Sequence, residues 1–192
     1  MLPPPPVLSE MIEFISSSGK VEKLQIATNG SIIPSEEIMN LLKKRDVFIR
    51  ISNYGLYPDK IEKLIQKFDE HGIKYSLYNF AGGVDRWSFL GGIDTPRTED
   101  DELAEKTYST CNFRSCLTLE KDELAYCSRA TVSYLVQGFE RKEFDYVKIT
   151  DDPEFQQRFY KYLEQPHAME ACRYCLGTAH LKLIAPAVQI KY

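Results

Sequence analysis

Five cysteines in the second half of the chain constrain its fold more than any other feature. Cys111 and Cys116 lie in CNFRSC, Cys127 closes LEKDELAYC, and Cys172 and Cys175 lie in CRYC. Four thiolates converging from separate segments are what a tetrahedral zinc or a cubane iron–sulfur cluster requires. A two-residue gap lets one tight turn aim both sulfurs at the same centre, and the other thiolates must then come from distant loops. Ordinary core cysteines are the plain alternative, since free Cys is among the most buried residue types. They have no reason to pair at CxxxxC and CxxC spacing. Disulfides are the second rival. No apolar signal segment opens the chain, which predicts the reducing cytoplasm, where stable disulfides are rare. The odd number of thiols also leaves one over.

The 192 residues allow one ordinary domain, or a domain with a small appendage, and 43% hydrophobic content suffices for a sizeable core. A net charge of −4 gives no electrostatic reason to expect a nucleic-acid partner. No stretch approaches the roughly 20 apolar residues of a membrane span. The aromatic supply is rich, but aromatic side chains mostly build cores.

In chain order, MLPPPP predicts an extended lead-in, because prolines lack amide donors and fix their backbone angle. From Leu8 the pattern turns helical, with Leu8, Met11, Ile12 and Ile15 on one face. Val21 to Ala27 reads as a strand running into Thr28-Asn29-Gly30. Ser35 can cap a helix whose first turn carries Glu36 and Glu37 and whose buried side is Ile38, Leu41 and Leu42. The unit then repeats. Val47 to Ser52 is the second strand, ending at Asn53-Tyr54-Gly55, and Pro58 opens a helix with a stripe of Ile61, Leu64, Ile65 and Phe68 that stops at Gly72. Ile73 to Tyr78 is the third strand. Alternating strands and helices call for parallel strands joined by right-handed crossovers.

After Asn79 the Gly- and Pro-punctuated stretch through Asp101 reads as a loop leaving the sheet, with Trp87 and Phe89 packing over a sheet edge or contacting a ligand. A short helix over 102–108 leads into CNFRSC. Leu117, Leu119, Leu124 and Tyr126 alternate as in a small hairpin around Lys121-Asp122, with Cys127 at its end. A helix over 130–138, a strand over 145–149 and a helix from Asp152 and Pro153 through Phe155, Phe159 and Leu163 follow. The last helix delivers the chain to CRYC, and LIAPAVQI ends it as an apolar tail. The expected division is a sheet domain over 1–95 and a cysteine-clamped module over 96–192.

TNG closing one strand, ISNYG closing the next, a helix-Gly-Ile strand after it, and then C-x4-C-x10-C with a later C-x2-C resemble a radical S-adenosylmethionine (radical SAM) enzyme. The cysteine module resembles that family's C-terminal SPASM or twitch extension, which carries an auxiliary [4Fe-4S] cluster. The resemblance spans nearly the whole chain. It implies an α/β fold class: half of a partial parallel (β/α) barrel followed by a small cysteine-rich α+β module. It also implies an oxidoreductase whose cluster relays an electron or holds a peptide or sugar-like substrate. The family's CxxxCxxC motif and GGEP stretch are missing, and no cysteine precedes Cys111. The chain thus looks like the C-terminal two-thirds of such an enzyme, expected not to cleave SAM without a separate N-terminal radical SAM half. No catalytic residue is assigned.

The candidate metal ligands are Cys111, Cys116, Cys127, Cys172 and Cys175, with the choice of four open, and with zinc open beside the cluster. Arg114 and Arg173 stand next to ligands in sequence, where they would offset cluster charge or simply occupy the surface. Ligands of parallel sheets lie at the C-terminal strand ends. The resemblance makes Thr28, Asn29, Ser52 and Asn53, with Asn79 beside them, the SAM-binding candidates; TNG as a plain turn is the alternative. His71 beside Gly72 fits a helix C-terminus, where a cation is favoured. His167 and His180 flank CRYC as further candidate ligands. A non-catalytic module held by a structural zinc on four cysteines and used for protein contacts is the competing function.

Overall fold

A computed structural model describes residues 5–164, 167–179 and 182–186. The chain divides into two compact units, one comprising residues 5–87 with 185–186 and the other residues 88–184. Among the described residues no helix is long and apolar enough to cross a membrane.

The first unit opens with helix α1 (Pro5–Ser17), so Pro5 and Pro6 start a helix instead of ending an extended lead-in. A first-turn amide has no intrahelical acceptor, and proline's fixed φ already suits that position. Only part of the expected apolar face is covered: Ile12 is buried and Met11 is exposed. Strand β1 (Gln25–Thr28) begins later than expected, and β2 (Phe48–Asn53) and β3 (Tyr75–Asn79) follow. Helix α2 (Glu36–Lys44) separates the first two strands, and its cap residue Ser35 accepts from the Ile38 amide at 3.4 Å. Helix α3 (Pro58–His71) separates the next two and ends on Gly72 in the left-handed conformation at φ 62°. Gly30, at φ 73°, admits no side chain, since a Cβ there would stand 2.5 Å from Ile61 Cγ1.

The three strands pair in parallel in the order β1-β2-β3, with Ile26 opposite Ile49 and Ile49 opposite Tyr75. Ile49 and Ile51 point into a core made with Ile12, Ile38, Met39, Leu42, Ile61, Leu64 and Phe68. The expected half-barrel is not formed. A barrel wall needs the strand–helix unit to continue until every edge has a partner. Among the described residues the sheet stops at three strands, and Leu77 and Tyr78 of β3 are exposed. The fold is mixed α/β with small separate sheets.

The regular structure continues with β4 (Trp87–Phe89), whose Ser88 and Phe89 belong to the second unit, and with α4 (Asp101–Ser109), the latter capped by Asp100, which accepts from the Leu103 amide. Strands β5 (Thr118–Glu120) and β6 (Glu123–Ala125) form the expected antiparallel hairpin, turning through Lys121 at φ 57°. Helix α5 (Ser128–Gln137) starts directly after Cys127 and stops at Gly138, φ 71°. Strand β7 (Val147–Lys148) pairs antiparallel with β6, helix α6 (Phe155–Leu163) follows, and β8 (Lys182–Ile184) pairs with β4. The core gathers Tyr108, Ala125, Tyr126, Ala130, Phe139, Val147, Tyr162, Met169 and Ala171 around Cys172. Half of the expected apolar tail, residues 187–190, lies outside the described residues.

Candidate metal centre

Four of the five cysteines line one pocket. Cys111, Cys127, Cys172 and Cys175 surround it with Tyr108, Arg129, Met169 and Ala171, around a cavity of about 30 Å³. Cys116 is exposed and does not line it. All five are free thiols.

Three segments deliver the four sulfurs. Cys111 and Cys116 bracket a single 3-10 turn (Asn112–Ser115), Cys111 at the pocket and Cys116 exposed. The Asn112 amide donates to Thr178 Oγ1 at 2.8 Å, and that hydroxyl donates on to Thr110 O, tying the Cys111 turn to the segment just beyond Cys175. Cys127 precedes α5, where the amides of Arg129 and Ala130 act on its sulfur without closing a cap hydrogen bond. Cys172 lies inside a second 3-10 turn (Glu170–Tyr174), and Cys175 follows it. The turn is anchored from below, since the Glu170 amide donates to the buried Asp145 Oδ1 at 2.7 Å.

Electrostatics follow from burial. Removal from water pushes the Cys127 and Cys175 thiols up and carries Cys172 to about 12. The Gly177 amide, which donates to Cys175 Sγ at 3.3 Å, and the Arg129 charge pull Cys175 the other way. On their own, Cys127, Cys172 and Cys175 are therefore neutral thiols. Turning them into thiolates needs a cationic centre, and its binding would release their protons. Among the described residues no group of three or more His, Cys, Asp or Glu side chains is set to hold one metal ion. Sulfurs sharing one zinc must crowd to about 4 Å from each other, whereas a cubane takes each sulfur on a different iron.

The other candidates are placed as follows. Arg114 lines the pocket but is exposed, and Arg173 is engaged with Asp101, with Glu170 Oε2 at 3.6 Å and with Thr98 O at 3.3 Å. His71 bridges Lys67 O and Glu36 Oε2, both at 2.8 Å. His167 faces Glu105 at 3.7 Å and does not line the cysteines' pocket, and His180 lies outside the described residues. At the strand ends, Thr28 Oγ1 accepts from Gly30 N and Asn29 Oδ1 from Ser31 N, closing their own turn. Asn53 Oδ1 accepts from Gly55 N, and its Nδ2 donates to Asn79 Oδ1 at 3.0 Å, while Ser52 is buried. Trp87 packs edge-on against Tyr54 and Phe80, which stack on each other at 5.0 Å.

Arg129 is the pocket residue that the spacing of cysteines did not single out. Its adjacency to Cys127 places it near a sulfur, but the contacts that turn it into the pocket come from distant segments. Compared with protein-family models and with curated proteins, the chain matches none.

Proposed function

We propose that this chain binds a [4Fe-4S] cluster through Cys111, Cys127, Cys172 and Cys175, and that the cluster serves electron transfer or substrate binding. The observation that carries the reading is the convergence of those four sulfurs on one pocket. Further support comes from the amide at Cys175 and the cationic side chain at the pocket wall, which suit an anionic cluster. The cysteine spacing adds its resemblance to SPASM and twitch modules, whose auxiliary cluster relays an electron or holds the substrate in enzymes that act on peptides or sugar-like alcohols. Five free thiols fit a reducing compartment such as the cytoplasm. SAM binding is no part of this reading for the chain alone. It contains no CxxxCxxC, and the strand-end side chains spend hydrogen bonds on their own turns.

The test is anaerobic purification and reconstitution, with iron, acid-labile sulfide and zinc measured on the product. The reading expects brown protein with about four irons and four sulfides per chain. Zinc at one equivalent without sulfide would replace it with a structural site of four thiolates on one zinc.

A further inference from the structure

The wall of the cysteine pocket contains one donor whose hydrogen bonding is incomplete. Arg129 gives its Nη1 to Gly91 O at 3.1 Å and its Nη2 to Tyr174 O at 2.9 Å and Gln137 Oε1 at 3.2 Å. Gln137 is itself held by Gly92 O. The guanidinium is thus fixed from its outer end. Its Nε is buried and has no partner among the described residues, and a buried unmet N–H carries a desolvation penalty that folding leaves uncompensated. This side chain lines the pocket with all four converging cysteines. Of the three arginines near the ligands, Arg114 is exposed and Arg173 is occupied by Asp101 and Glu170.

We propose that Arg129 directs its buried Nε–H and its charge at an anionic sulfur of the bound cluster and thereby raises the cluster's reduction potential. The inference rests on the cluster reading above. One-electron reduction makes the cluster one charge more negative, so a fixed cation and an N–H···S bond stabilise the reduced state more than the oxidised one. Burial leaves that interaction poorly screened. In a redox titration the electron comes from the added chemical reductant, and nothing else in the chain needs to change oxidation state.

The test is a potentiometric titration, followed by electron paramagnetic resonance, of reconstituted wild type, Arg129→Lys and Arg129→Met. In Arg129→Met the reduced-to-oxidised ratio at fixed potential should fall about tenfold, equivalent to a midpoint about 59 mV lower for one electron. Arg129→Lys keeps the charge but loses the Nε–H, and should fall by a smaller amount. If Arg129→Met holds no cluster, the lowered midpoint of Arg129→Lys decides. A purely structural Arg129 would reduce cluster content while leaving the midpoint of the formed clusters at the wild-type value, and that result overturns the proposal. Wild type that takes up no iron and sulfide overturns the cluster reading itself, a separate outcome.

Discussion

The Gly177 amide donates to Cys175 Sγ at 3.3 Å from a backbone at φ 69°. A Cβ at that position would meet Thr107 Cγ2 at 3.2 Å and Thr107 O at 3.5 Å. The turn that aims the last sulfur therefore depends on having no side chain there. Gly177→Ala should cost the second unit about 1–2 kcal/mol through the left-handed strain alone. The reconstituted variant should also surrender iron to a chelator several-fold faster than wild type. Equal rates would show that the turn does not govern ligand placement.

Cys111 and Cys116 separate on geometry. Cys116→Ser should retain the full iron and sulfide content, and Cys111→Ser should lose most of it, because Cys111 alone of the two lines the pocket. Iron analysis and visible absorbance check both variants. The reverse pattern would mean that the CxxxxC turn binds through its other end.

Asp145 is fully buried, and its carboxylate accepts from the amides of Lys142 at 2.8 Å and Glu170 at 2.7 Å. Asp145→Ala leaves both amides without their acceptor, at a cost of about 3 kcal/mol. Because Glu170 opens the turn that carries Cys172, cluster content should fall together with stability. Urea unfolding followed by fluorescence, with iron analysis in parallel, measures the two. Wild-type stability in the variant would show that other groups satisfy those amides.

Glu36 accepts from Lys67 and from His71, and these contacts hold its carboxyl below the usual 4.5. A lowered folded-state value means that the stabilisation is complete above 4.5 and is lost as pH falls through the folded value. The difference in urea midpoint between wild type and Glu36→Gln should thus persist down to about pH 4.5 and vanish below it. A difference that grows on acidification would reverse the assigned sign.

The strand–helix units were legible because their signals are local. Ser35 caps α2, Pro58 opens α3 and Gly72 closes it, each through backbone geometry that the residue itself imposes. Where the sheet stops was not legible, since β3 carries no mark saying that no fourth strand will join it. The prolines misled for a related reason: a missing amide matters inside a helix and not in its first turn. At the site, spacing exposed the cysteines but could not separate Cys111 from Cys116. That choice depends on a 3-10 turn and on a hydrogen bond to Thr178, 66 residues away. Arg129 owes its orientation to carbonyls 38 and 45 residues distant, which no local pattern encodes.

The three-segment origin of the sulfurs also fixes a timetable. A chain leaving the ribosome presents Cys111 and Cys127 well before the CRYC turn exists, and two thiols cannot grip a cube. On the proposed cluster reading, iron delivery awaits synthesis past residue 175, and until that moment the early thiols stand open to oxidants and to stray metals.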